Sequence, residues 1–399
     1  MKRNHIVLLT LTLLLLLFFV GCNADASEGL FRQIQNSKEP VKISYKQIIG
    51  RSSDEKTLYF LTESGVFSKV AGADAVTVKA NTSGEIAESA ALIDDTTLCI
   101  LVNGPGSSGV ILAGDPADSD SFTKLAADDT YNLKGLYANG KVLAQEKSGA
   151  NPKVHLGTVD ASSGAFASTI NLSDISSTGS WVGMLTHTGT EQEDFGSDNP
   201  ILSIFYNPQD KKYLTYYSDG TNHTQLTDLD NKHGKPATFT LLEGKLFVLT
   251  ESGVLYGAEK PKTTDATKKM KELVKLNREY SQQAFLYGMK TTDDENNDTL
   301  HLISKSKRSV EGFTVLSFAP GLLDAAEKKI TVTPITKGYG RVLPNTTYVD
   351  AMLINETATE LKFLVATYSN GMVDITIKNP SLDEKDTNGS SSNPEEYEF

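Results

Sequence analysis

Cysteine, tryptophan and histidine are scarce in this chain, and each scarcity narrows its chemistry. Two cysteines in 399 residues, Cys22 and Cys99, cannot form a disulfide framework. The six histidines (His5, His155, His187, His223, His233 and His301) stand at no metal-like spacing to one another or to cysteine. No GxSxG elbow, Walker loop, HExxH or GxGxxG entering a helix occurs. Positive charge is also short. Lys and Arg number 38 against 50 Asp and Glu, a net charge of −12, which makes nucleic acid a poor partner. Beyond Val20 no apolar run approaches the roughly 18 residues that cross a bilayer. No cofactor and no metal are expected.

What is present begins with an address. Lys2 and Arg3 precede an apolar run from Ile6 to Val20, the length of a signal-peptide core. It ends in Phe19-Val20-Gly21-Cys22, which resembles a bacterial lipobox, with Phe19 where leucine is usual. The expectation is a signal peptide over 1–21, a lipidated Cys22, a tether over 22–29 and a propeller over 30–380. The acidic tail over 381–399 (SLDEKDTNGSSSNPEEYEF) is expected to be disordered. Lipidation would hold the chain to a bacterial membrane in the cell envelope, facing periplasm or exterior. Asn23 is not the aspartate that retains some lipoproteins in the inner membrane, which favours the outer one. Cys99, inside TTLCILV, reads as a buried, inert thiol.

The fold is legible in a repeated phrase. LTESGVF at 61–67 returns as LTESGVL at 249–255. Each copy lies in a series of four short runs rich in β-branched and aromatic residues, separated by Gly, Ser, Asn, Asp or Lys. The same four-run unit recurs along the chain. Its central turns fall near Gly65, Gly109, Gly149, Asp210, Gly253, Gly312 and Gly371, a mean spacing of (371 − 65)/6 = 51 residues. Four-stranded units at such a period indicate an all-β, seven-bladed β-propeller of antiparallel blades. The seventh unit offers only three runs. Leu30-Phe31-Arg32-Gln33-Ile34-Gln35 is therefore expected to supply the outer strand that closes the last blade. Residues 265–283 (DATKKMKELVKLNREYSQQ) have helix-forming composition, yet align with a strand of the first unit at Glu272–Leu276.

The hairpin GTVDASSGAFA, Gly157 to Ala167, resembles the quinoprotein-type propeller repeat D-x-x-T-G-x-x-x-W. Asp160 and Gly164 match, while Ser163 and Ser168 replace Thr and Trp. A lipid-anchored propeller of that type is an accessory subunit of the bacterial outer-membrane barrel assembly machinery, with eight blades and regular motifs. The resemblance covers about a dozen residues, and this chain lacks that family's eight blades and regular motifs. Neither the WD signature nor the sialidase box is present.

In a four-stranded meander, the first-to-second and third-to-fourth loops share one end of the blade, and the remaining loops share the other. The first-to-second loops (51–56, 94–96, 139–141, 187–199, 243–245, 291–298 and 355–360) hold fifteen acidic and four basic residues, a net of −11. This candidate interaction rim comprises Asp54, Glu55, Asp94, Asp95, Glu191, Glu193, Asp194, Asp198, Asp293, Asp294, Glu295 and Asp298. It fits a basic protein partner. The opposite end is near neutral, and Lys305, Arg308, Tyr339 and Arg341 are its candidate funnel residues. Two alternatives stand beside the protein-binding expectation. One is a glycan- or peptide-active enzyme using the central funnel; the other is a cation- or small-ligand-binding propeller. Asp294–Asp298 begins like a calcium loop, but Thr299 and Lys305 stand where such a loop needs Gly and Glu. Asp228–Gly234 reads as a polar loop.

Overall fold

The computed structural model describes residues 45–378 apart from 53–55, 63–64, 71–75, 83–84, 95, 104–108, 138–139, 188–199, 221, 277–282, 293–294, 307–310, 327, 337–347, 358 and 368–371. The described chain forms seven antiparallel sheets in sequence order, the blades of a β-propeller. The innermost strands are Tyr45–Arg51, Ile86–Asp94, Tyr131–Leu136, Ser180–Thr186, Pro236–Leu242, Gln283–Thr292 and Tyr348–Glu356. Each is followed by two or three strands that pair outward in chain order.

Seven apolar clusters fill the seven blade interfaces, and the second strand of each blade shows why. In Glu360–Thr367, alternate residues serve opposite neighbours. Leu361, Phe363 and Val365 pack toward the sixth blade, and Leu364 and Ala366 toward the first. Lys245–Thr250 divides likewise, with Phe247 and Leu249 on one side and Leu246 and Val248 on the other. A period-2 strand covered on both faces needs apolar residues at every position. That is why the runs read as continuous rather than alternating. Cys99 lies in one of these strands, 4% exposed, and burial pushes its thiol up to about 11. It stays a protonated, unreactive thiol at neutral pH.

The repeated phrase closes the same hairpin in two blades. In the first, the Thr62 hydroxyl donates to the Gly65 carbonyl at 3.0 Å. In the fifth, Val254 N donates to Thr250 Oγ1 at 3.1 Å, and Gly253 takes φ +84°, a left-handed value that glycine adopts without strain.

Three details differ from a uniform ring. The described part of the segment of helix-forming composition, 265–276, is not helical. Thr267–Lys269 and Lys271–Lys275 are strands, because Met270, Leu273 and Leu276 are drawn into the interfaces flanking the fifth blade. Thr267–Lys269 leaves its own blade and pairs parallel with Asn222–Thr227, giving the fourth blade a fifth strand. The last sheet has three described strands, and the segment 30–35 expected to complete it lies outside the described residues. So do the leader, the tether and the acidic tail.

Candidate functional site

The strand boundaries place all seven first-to-second loops at one end of the propeller, as 52–56, 95–96, 137–140, 187–200, 243–244, 293–297 and 357–359. Every blade thus contributes a loop to this end, and the twelve candidate rim residues come from the first, second, fourth and sixth blades. Of these twelve, Asp94, Glu295 and Asp298 are described; Asp54, Glu55, Asp95, Glu191, Glu193, Asp194, Asp198, Asp293 and Asp294 lie outside the described residues.

The described carboxylates are engaged locally. Asp94 accepts from Thr96 N at 2.8 Å and from Thr96 Oγ1 at 2.9 Å, and these bonds hold its carboxyl below the usual range. Asp298 pairs with Lys290 at 2.8 Å and accepts from Thr292 Oγ1 at 2.7 Å, with the Lys290 bond the larger cause of its lowered pKa. Glu356 accepts from the Tyr287 hydroxyl across the sixth and seventh blades. These contacts fix the local shape of the described loop ends. Among the described residues, no three His, Cys, Asp or Glu side chains converge as a metal site.

Of the four funnel residues, Lys305 is described, while Arg308, Tyr339 and Arg341 are not. Lys305 does not lie on an open face. It belongs to the strand Asp298–Ser306 and is 7% exposed. Its ammonium donates to the Val349 carbonyl at 2.6 Å and reaches Asp350 Oδ1 at 3.3 Å. A lysine at a strand end beside a neighbouring blade gains more from a carbonyl and a carboxylate than from solvent, since a buried charge needs partners.

Asp350 is the centre of a device that the sequence pattern did not reveal. Every innermost strand has a register shift near its start, at 46, 88, 134, 182, 237, 286 and 349. Such a bulge turns an extra residue out of the ladder. In five blades the residue just after it reaches the next blade; in the fifth and sixth these are Thr238, whose Oγ1 accepts from Phe285 N at 3.1 Å, and Tyr287, whose hydroxyl donates to Glu356. Asp350 Oδ2 accepts from Ile48 N at 2.8 Å, Gln47 Oε1 from Ala90 N at 3.1 Å, and Ser89 Oγ from Leu136 N at 2.8 Å. The blades are thus stitched in sequence from seventh to first to second to third. At the corresponding positions of the third and fourth blades stand Gly135 and Gly183, which have no side chain to offer. At the fourth-to-fifth interface His187 takes over, its Nε2 accepting from Leu241 N at 3.1 Å. The visible signal was a polar residue in an apolar strand, but its role depends on a bulge that periodicity does not show.

Three further histidines satisfy themselves inside sheets. His301 is bonded to Ser317 Oγ and Thr291 Oγ1, each at 2.8 Å. His155 is bonded to Ser168 Oγ at 2.9 Å and Glu146 Oε1 at 3.1 Å, and His223 to Ser218 Oγ at 2.7 Å. The Ser168–His155–Glu146 row shares the cross-strand pattern of His301 and is polar satisfaction of a buried ring.

Burial pushes His187 and His301 down to about 4 from 6.5. A base held neutral in the fold but protonated in the unfolded chain contributes stability that is complete above pH 6.5 and lost as pH falls toward 4. For His301 the full loss is about 3 kcal/mol. Urea unfolding at pH 7 and pH 5 should show falling stability, and His301→Gln should flatten that slope. An unchanged slope would exclude His301 as its source.

No family model matches the sequence, and no curated protein is similar to it. Solved structures do share its shape. Sqt1 of Saccharomyces cerevisiae is 10% identical over 85% of this chain and 96% of its own, with a TM-score of 0.47. BamB of Moraxella catarrhalis is 13% identical over 84% of each chain, with a TM-score of 0.41. YCF48 bound to a D1 peptide is 8% identical over 83% of this chain and 91% of its own, with a TM-score of 0.47. At these values the likeness concerns the propeller fold alone.

Proposed function

We propose that the chain is a lipid-anchored propeller of the bacterial cell envelope, a non-enzymatic module that recruits a protein partner through its acidic rim. The observation that carries this is the sorting of charge. The seven loops with a net of −11 all belong to one end of the ring. Complementary charge of this kind speeds encounter and selects among partners. Cys22 is the site of lipidation, and the anchor places the propeller on the outer membrane. One acyl chain binds a bilayer only marginally, so stable anchoring takes more than one.

The test is a crosslinking pulldown of the intact lipoprotein from its native envelope, with mass spectrometry. A recurrent partner should be recovered, and the triple reversal Glu191→Lys, Glu193→Lys and Asp194→Lys should reduce its yield about tenfold or more, which corresponds to some 1.4 kcal/mol of binding. Recovery of the protein alone, or an unchanged yield after reversal, would make the rim a solubility device. Cys22→Ser should release the protein from membranes and abolish incorporation of labelled palmitate; retention on the membrane would refute the anchor.

A further inference from the structure

The outer edge of the seventh sheet is open among the described residues. Met372–Lys378 pairs with Glu360–Thr367 and with no other described strand, while each of the other six sheets has four or five strands. The strand is well seated, since Val373, Ile375 and Ile377 are buried against the sixth blade. A firm strand with a free row of N–H and C=O groups is a template for one more.

We propose that residues 30–35 pair antiparallel on this edge, so that the chain leading back to Cys22 leaves the propeller at the acidic rim and turns that rim toward the bilayer. Three observations support the pairing. The connection from an outer strand to the next innermost one runs from four residues, 82–85, to eleven, 337–347. Residues 36–44, the nine between this segment and Tyr45, fall inside that range. Outer strands elsewhere bury little: Phe166–Asn171 has no fully buried residue and Lys271–Lys275 has one, Leu273. Leu30 and Ile34, on one face of an otherwise mixed segment, match that modest demand. The chain after Lys378 competes poorly, because Asn379–Gly389 contains Pro380 and a single aliphatic residue, Leu382.

Polarity then fixes the exit. Outer strands start at the end holding the first-to-second loops and finish at the opposite end, where the next innermost strand begins. Leu30 therefore stands at the acidic end. The seven residues Asn23–Gly29 reach at most about 25 Å. With Cys22 lipidated, as proposed above, the rim lies within that distance of the headgroups. The partner chemistry follows: a basic segment running close to the membrane surface, as on an integral membrane protein.

Hydrogen exchange on the full chain tests the pairing, and Cys22→Ser separates it from the anchor. Exchange of the Met372–Lys378 amides should accelerate on the order of tenfold in the variant Phe31→Pro with Gln33→Pro, because proline cannot join the ladder. In a Cys99→Ala background, Ile34→Cys should form a disulfide with Asp374→Cys in preference to Leu30→Cys. Unchanged exchange, preferential bonding from Leu30→Cys, or protection that depends on protein concentration would overturn the pairing. Protection should persist in Cys22→Ser while membrane attachment is lost. If the wild-type chain is never membrane-bound, the bilayer-facing orientation falls and the pairing stands on its own data. If it is bound but unprotected, the pairing falls and the anchor stands.

Discussion

Replacing Asp350 by alanine is expected to destabilise the ring by about 2–4 kcal/mol, a large effect for a carboxylate that is not fully buried. Three blades meet on this side chain. It accepts from Ile48 N of the first blade, from Ala351 N of its own at 2.9 Å, and from Lys305 of the sixth. Removing it takes this carboxylate from Lys305, whose side chain is 8% exposed and also donates to the Val349 carbonyl. It also strands the Ile48 N–H at the junction where the chain's first described strand meets its last blade. Asp350 itself is 31% exposed, and solvent screening keeps the figure below that of a fully buried pair. Asp350→Asn keeps an acceptor without the charge and should recover about half of the loss. Urea denaturation of both variants measures it. A loss below about 0.5 kcal/mol for alanine would mean that apolar packing of Tyr45, Ile48 and Phe60 on Leu364 and Ala366 closes the ring unaided.

Gly157→Val should cost still more, and for a different reason. A Cβ at Gly157 would lie 2.1 Å from the Ala167 carbonyl oxygen and 2.7 Å from Phe166 Cζ. The phenyl ring can turn aside, but the carbonyl belongs to the adjoining strand and cannot. The expected cost exceeds about 4 kcal/mol, the range of broken backbone pairing rather than of side-chain adjustment. Gly183→Ala is the control. A Cβ there meets nothing within 4 Å, so that change should leave stability within about 0.5 kcal/mol of the parent or raise it slightly. Thermal melts of the two variants side by side would decide the matter. Equal melts would show that the third blade's outer strand can slide.

The Gly157 hairpin also shows where its sequence resemblance comes from. Asp160 accepts from Ser162 N at 2.7 Å and Ser163 N at 3.0 Å, and Gly164 takes φ +80° with Ala126 O only 2.6 Å from where a Cβ would sit. Asp and Gly recur in such repeats because the turn requires them. The blades could be read from the chain because each second strand carries a largely apolar run that serves both faces and each turn carries its own residues. The placement of the first-to-second loops at one end could be read because loop parity follows from strand count. The stitching from Asp350 through Gln47 to Ser89 could not, since it depends on bulges that shift register by one residue and leave composition unchanged. Lys305 was misplaced for a related reason: a lysine near a turn is ordinarily solvated, and only the neighbouring blade supplies the partners that draw it in. Residues 265–276 stand open between helix and strand in the sequence because their composition favours helix while their alignment favours strand, and burial of Met270, Leu273 and Leu276 decides for strand.

The parallel strand on the fourth blade sets a schedule as well as a shape. Asn222–Thr227 leaves the ribosome some 40 residues before Thr267–Lys269, the strand that will cover it. At about 5–20 residues per second, that edge stays bare for roughly 2–8 s of each synthesis. Through that interval the fourth blade is complete in its own strands yet sticky to any other chain, and its protection is a later instalment from the fifth. Slowed translation between codons 228 and 266 would lengthen the hazard without altering a single residue.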